Sequence, residues 1–246
     1  MRPKTRIFTK IILTILLCSS SSCYGRKAAL KHSPMNGHEK PALSVHKANR
    51  LVLNVDEFGA KADGKSDNFR AFKIAWDKAC NSSESVKMMV PKGKTYYVKH
   101  INFTGPCRSS VSMEIQGTIK SFPQMYDIPR RLWIQFEDVN DMDVFGGGTI
   151  DGNGEIWWKN SCRIKKTKEI GEEIGMALTF RNCTNLRVNT LKMVNAQQMQ
   201  VGFQDCNGVE ASKLLVVAPK HSPNTDGIHI TRTSNINILD SQIKTE

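Results

Sequence analysis

A chain of 246 residues with 39% hydrophobic and 24% charged content has the make-up of a globular protein, which excludes a disordered or wholly membrane-embedded chain. Its formal charge of +12 first suggests a polyanionic partner. Residues 1–50, however, hold ten Lys/Arg against one acid, Glu39, and the remainder holds 25 against 22, so the excess does not describe a nucleic-acid-binding face.

Arg2, Lys4, Arg6 and Lys10 precede the apolar run 11–17 and the small residues Ser19 to Ser22. That order predicts a secretory signal peptide over residues 1–25, with a run too short to span a bilayer. Residues 26–50 carry no apolar period and read as a flexible leader, whose His32, His38 and His46 are not at metal-ligand spacing. Secretion fits three N-glycosylation sequons, at Asn81, Asn102 and Asn182. Cys80, Cys107, Cys162, Cys183 and Cys206 then make an odd number in the body, which implies a free thiol, an intermolecular bond or a missing partner.

The ordered region, 51–246, opens with an apolar strand, Leu51 to Val55. Ser66 or Asp67 then caps a helix whose Phe69, Phe72, Trp76 and Ala79 recur at helical spacing. Asp56, Asp63 and Asp67 read as turn and cap residues in preference to a metal cluster. Residues 90–98 read as strand, turn, strand, flanked by Cys80 and Cys107; a bridge between these two is compatible with the spacing and is not assigned by it. Residues 145–154 are glycine-rich, yet they lack the Lys-Ser/Thr ending of a phosphate loop and no helical pattern follows, so no phosphate site is expected. Trp157 and Trp158 are expected to pack on the wall of the fold, stacking on a sugar being the second use.

A repeat organises the rest. Four stretches, 134–144, 178–188, 201–211 and 228–238, share an alternating strand, a polar corner and a second alternating strand, with Asn185, Gly208 and Asn235 at one offset. Leu178 to Val201 is 23 residues and Val201 to Ile228 is 27; the 44 from Ile134 to Leu178 is read as about two such steps. Such a period argues for a parallel β-solenoid, since the leucine spacing and helix of a leucine-rich repeat are absent. In that register Cys183 and Cys206 stack on successive coils, about 4.8 Å apart, as a disulfide or as two thiols.

The stretch 222–230, Ser-Pro-Asn-Thr-Asp-Gly-Ile-His-Ile, places Asp226 where a turn meets a strand. By residue type alone, such an Asp is more often a turn residue than a catalyst. The whole stretch, however, resembles the first signature motif of the plant-type polygalacturonases, and the Gly-Thr-Ile-Asp-Gly turn at 148–152 is similar to one of theirs. The resemblance implies an all-β, right-handed parallel β-helix with a short N-terminal capping helix, in the segment 55–80. It implies inverting hydrolysis of the α-1,4-galacturonan of pectin in the cell wall or apoplast. Asp226 would activate the attacking water and Asn224 would shape the site. His229 should face outward, as an ordinary exposed histidine or in contact with substrate. No cofactor, metal, nucleic acid or membrane partner is implied once the signal is removed, and a monomer is expected.

Inverting hydrolysis needs two carboxyl groups roughly 6.5–9.5 Å apart. One coil before Asp226 stands Met199 among Gln197, Gln198 and Gln200, and Asp205 falls at a corner. The family's Gly-Asp-Asp, Gly-His-Gly and Arg-Ile-Lys motifs, which should follow the stretch 235–245, are absent; Arg163-Ile164-Lys165 matches the last in letters only. The solenoid is therefore expected to be incomplete at its C-terminal end and inactive alone. A noncatalytic wall-polysaccharide-binding protein is the alternative. A pectate lyase ranks third, because no calcium-binding carboxylate cluster is visible.

Overall fold

The computed structural model describes residues 50–122, 132–159 and 176–245; the signal-peptide segment, the leader up to residue 49, Cys162 and Arg163 to Lys165 lie outside them. Among the described residues, the strands form three parallel sheets, numbered below in chain order. Sheet A holds seven: β1 (Leu51–Asn54), β2 (Val86–Val90), β5 (Val111–Ile115), β8 (Asp143–Phe145), β11 (Thr184–Asn189), β14 (Asn207–Ser212) and β17 (Ser234–Leu239). Sheet B holds six: β3 (Thr95–Val98), β6 (Thr118–Ser121), β9 (Thr149–Asp151), β12 (Lys192–Val194), β15 (Leu215–Val217) and β18 (Gln242–Lys244). Sheet C holds five: β4 (Ile101–Thr104), β7 (Leu132–Glu137), β10 (Met176–Arg181), β13 (Met199–Gln204) and β16 (Ile228–Thr231). From β2 on, the chain visits A, B and C in turn, and each later visit pairs with the strand one coil before, which makes a three-sided parallel β-helix.

The register confirms the 23- and 27-residue steps, since Leu178 pairs with Val201 and Val201 with Ile228. It corrects the third: Ile134 pairs directly with Leu178, so those 44 residues form one coil and not two. An excursion can leave a coil and return without disturbing the ladder, because closing a longer loop costs little extra entropy. The helix α2 (Glu155–Lys159) opens that excursion, directly after the glycine-rich segment, where no helical pattern was expected. The glycines serve packing: a Cβ on Gly146 or Gly148 would lie 2.4 or 2.5 Å from the Ile115 carbonyl oxygen.

Corners are made by left-handed residues. Counting from Leu178, Val201 and Ile228, the positions four, seven and twelve residues on all have φ between 45° and 71°, Asn185, Gly208 and Asn235 among them. Asn, Asp and Gly tolerate that region best, which is why the polar corners were visible in the sequence.

Inside the coils, apolar rows stack in register. Phe103, Phe136, Phe180 and Phe203 form a continuous ring ladder with centroid spacings of 4.9, 5.2 and 5.5 Å. The capping helix α1 (Phe69–Cys80) closes one end: Trp76 packs 5.0 Å from Phe103 and 5.6 Å from Phe136. Phe72, Trp76 and Ala79 are buried as expected, whereas Phe69 is exposed on the helix's first turn. The N-cap is Asn68 rather than the Ser66 or Asp67 expected; Asp67 accepts from the Phe69 amide at 3.1 Å, and Asp63 holds the preceding turn through Lys65 and Ser66, the turn role read for it. A disulfide joins Cys80 to Cys107. Cys183 and Cys206 are buried thiols; the neighbouring Cys206 sulfur and burial push the Cys183 thiol up.

Candidate active site

The outward face of sheet C is organised by one break in its alternation. Trp133 and Ile134 are both buried in the core, and so are the pairs Ala177 with Leu178 and Gln200 with Val201. Two consecutive inward positions throw the residue before them outward. Leu132, Met176 and Met199 therefore form an outer column with its own small apolar cluster, apart from the main core. The β13–β16 register continues that column to Asp226, whose carbonyl accepts from the Gln200 amide at 2.9 Å. Three residues on, the next outward column runs Asn102, Gln135, Thr179, Gly202 and His229.

Local chemistry fixes Asp226 on that face. Thr225 before it is buried, its hydroxyl donating to the Ser222 carbonyl at 3.0 Å and lying 2.6 Å from the Ser222 hydroxyl. Ser222 Oγ in turn donates to the Pro219 carbonyl at 2.6 Å. Gly227 after it is also buried, in the inward column of Trp133, Ala177 and Gln200, and a Cβ there would lie 2.4 Å from the Ile243 side chain. Asp226, between two buried neighbours, is exposed. Asn224 takes the left-handed bend of the turn at φ 57° and is half-buried.

His229 is half-buried and directly across from Gly202, over which the Met176 side chain lies, its sulfur 2.2 Å from where a Cβ on Gly202 would stand. Further along its column, Gln135 Nε2 and Thr179 Oγ1 are buried without a hydrogen-bond partner. Asp226 and His229 are thus brought to one edge of one sheet, with Asn224 in the turn that leads into it. Reading the sequence as plain alternation missed the double inward step, the apolar column beside Asp226 and the polar one beside His229. The signal was available as aligned small or inward residues, Ala177 and Gly227, at equal spacing before the strand anchors.

Among the described residues, these two columns contain no carboxylate besides Asp226. The nearest outward column on sheet C runs Glu137, Arg181, Gln204 and Thr231, and Glu137 is occupied by Arg181 at 3.2 Å and by Asn102 Nδ2 at 3.0 Å. Asp205 is a corner residue with φ 54°, and Arg232 grips both its oxygens, at 2.6 and 2.9 Å, holding it below the usual carboxylate range. Another groove, of about 460 Å³, lies on the outer face of sheet A between Arg50, Asp143, Arg187 and Glu210. Its Arg187 is already bound bidentately to Asp143, and it is on a different wall from Asp226. Among the described residues, no group of three or more His, Cys, Asp or Glu stands together as a cation site, and no helix is long and apolar enough to cross a membrane. Trp158 packs against the wall, its Nε1 donating to the Ala196 carbonyl at 2.9 Å.

The sequence profile that matches residues 80–246 is described as Glycosyl hydrolases family 28. Polygalacturonase-2 of Solanum lycopersicum is 48% identical over 202 residues, which cover 82% of this chain and 44% of that one. A polygalacturonase of Persea americana is 46% identical over 225 residues, covering 87% of this chain and 48% of the relative. The chain spans about half the length of the curated relatives it matches. Among solved structures, the family 28 exopolygalacturonase of Yersinia enterocolitica superposes with a TM-score of 0.62 at 17% identity, over 79% of this chain and 43% of that one, which supports the fold.

Proposed function

Since the chain belongs to the glycosyl hydrolases of family 28, we propose that it forms the front wall of a galacturonan-hydrolysing groove, with Asp226 as one of its catalytic carboxylates. The observation that carries this reading is the exposed Asp226 between buried Thr225 and Gly227, on the same outward edge as His229, with Asn224 in the turn that leads into it. A carboxylate so placed, with its oxygens open to solvent, can accept a proton from a water that attacks a sugar carbon from the groove side. Asn224 and His229 orient the sugar by hydrogen bonds. Lys220, exposed in the same turn, supplies positive charge suited to the carboxylates of polygalacturonate.

Inversion needs a proton donor for the leaving oxygen, and the described coils place no second carboxylate opposite Asp226. The chain alone therefore binds pectin and does not turn it over. The other elements of the reading are secretion through the segment 1–25, residence in the cell wall, action without a cofactor and a monomeric state. The noncatalytic wall-binding reading makes the same prediction for binding and differs on what restores turnover. The test incubates the purified chain with polygalacturonate and measures released reducing ends and retardation in a polygalacturonate gel. Retardation without release is expected. Steady release that Asp226→Asn does not abolish would show that the chemistry lies elsewhere.

A further inference from the structure

The groove of about 460 Å³ on the outer face of sheet A has no part in the site at Asp226. Its floor strands, β5, β8, β11 and β14, are each paired on both sides, so their backbones are engaged and no strand can be added there. The apolar residues beneath it, Val111, Leu186 and Val209, are buried in the core. What the groove presents is polar side chains from successive coils, about 4.8 Å apart. Asp143, Arg187 and Glu210 are register partners on three of those coils. Arg187 gives Nε and Nη2 to Asp143, which leaves its Nη1 group unspent. Among the described residues, the exposed Glu210 carboxylate acts on Arg187 through its charge and takes no hydrogen bond from it. At the corner, Asn185 donates Nδ2 to Asp141 and keeps its Oδ1 as an acceptor. Its partner on the next coil is Gly208, at φ 71°, where a Cβ would lie 3.2 Å from that Oδ1. The missing side chain opens a notch with an amide oxygen, a carboxylate and a guanidinium around it.

We infer that this groove is a second binding site, for a neutral, hydroxyl-rich polysaccharide, by which the chain holds one polymer while Asp226 faces another from a different wall. Only its setting, a polysaccharide matrix, rests on the hydrolase reading above. Three observations choose the ligand. Planar carboxylate, amide and guanidinium groups on neighbouring coils offer acceptors beside donors, which suits adjacent ring hydroxyls, since each hydroxyl gives one hydrogen bond and accepts others. Charge disfavours a polyanion: Asp141, Asp143 and Glu210 stand against Arg50 and Arg187, the Arg187 charge is met by Asp143, and Arg50 gives Nη1 to Ser112 Oγ at 3.1 Å on the rim. A peptide finds neither an apolar anchor nor a free strand edge, the two features that hold an extended chain on a sheet.

The experiment runs the purified full chain in native gels that contain xyloglucan, galactan or polygalacturonate. Retardation by at least one of the two neutral polymers is expected. Glu210→Ala and Asn185→Gly, both at exposed positions, should each weaken that retardation about tenfold, the loss of one or two hydrogen bonds. Glycine is used at position 185 because it accepts the φ of 53° there. Both variants should leave the circular dichroism and the retardation by polygalacturonate unchanged. Polygalacturonate reports on the site at Asp226 and the neutral polymers on the groove, so either can fail without the other. Four results would overturn the inference: no retardation by either neutral polymer, retardation that survives both substitutions, variants that lose polygalacturonate instead, or a dimer in light scattering that Glu210→Ala dissociates, which would make the occupant a second copy.

Discussion

Phe180→Ala tests whether the coil that carries Asp226 is held by a stack of rings rather than by the ladder alone. Phe180 is fully buried between Phe136 and Phe203, with both rings within 11° of parallel. Truncating a buried phenylalanine costs about 3–5 kcal/mol, and each lost ring pair accounts for about 0.5–1.5 kcal/mol of it. Phe203 is equally buried, but among the described residues it has one ring neighbour, Phe180, and its other side meets Ile230. Phe203→Ala should therefore cost about 1 kcal/mol less than Phe180→Ala, because it breaks one ring pair instead of two. With a urea slope of about 2 kcal/mol/M, the midpoints fall by about 2 M and about 1.5 M. Urea unfolding of the oxidised chain, followed by far-ultraviolet dichroism and by tryptophan fluorescence, measures both. Coincident transitions are required for the comparison, since stacked coils can melt piecewise. Equal shifts, or a larger one for Phe203→Ala, would show that ring stacking does not set the stability of these coils.

The remaining expectations concern single sites. Replacing Cys80 and Cys107 together by Ser removes a cross-link between residues 27 apart, worth about 3.5 kcal/mol of chain entropy, and should lower Tm by about 10 °C in calorimetry. Partial burial works against ionisation of Asp56, but hydrogen bonds from Lys94 and Tyr96 outweigh it and hold its carboxyl below the ordinary 3.8. The stability that Asp56 adds over Asp56→Asn should be complete above pH 3.8 and shrink as pH falls below it; a difference that grows on acidification contradicts this pairing. Asp226→Asn changes an exposed side chain and should shift the unfolding free energy by less than about 0.5 kcal/mol. In a secreting host, intact mass should show glycans at the exposed Asn81 and Asn182 and none at Asn102, which is half-buried with its Oδ1 fully covered.

How much of this was legible beforehand depended on whether a residue's role was local. Corner positions could be read where the left-handed bend holds Asn or Gly, as at Asn185, Gly208 and Asn235, and not where it holds Thr190, Lys213 or Arg232. Register could be read where coils kept one length, as from Leu178 to Val201. It failed between Ile134 and Leu178, because a solenoid accepts a long excursion between paired strands, and spacing alone cannot tell one long coil from two short ones. The site was half legible. Asp226, Asn224 and His229 belong to one contiguous stretch, and a contiguous stretch is what resemblance detects. The columns beside them draw one residue from each coil, at separations of 23, 27, 33 and 44, and their meaning appears only after the register is known.

Coil geometry also explains why the site lies where it does. From sheet C to sheet A the chain uses six residues in each of the last three coils, Leu178 to Thr184, Val201 to Asn207 and Ile228 to Ser234. From sheet A to sheet B it uses eight, Thr184 to Lys192, Asn207 to Leu215 and Ser234 to Gln242. Within these last three coils only the passage from sheet B to sheet C varies, nine from Lys192 to Val201 and thirteen from Leu215 to Ile228, after twenty-nine from Thr149 to Leu178. The whole excess of the 27-residue coil thus falls in the turn that holds Lys220, Ser222, Asn224 and Asp226, and the excursion led by α2 leaves at the same side. Two of the three corners must stay short to keep the rows of the core in register, so the third is where chemistry can be added without cost to packing. The hydroxyls of Ser222 and Thr225 then do what the ladder does elsewhere: they give the extra residues internal partners, and a turn outside the repeat still presents its carboxylate in one orientation.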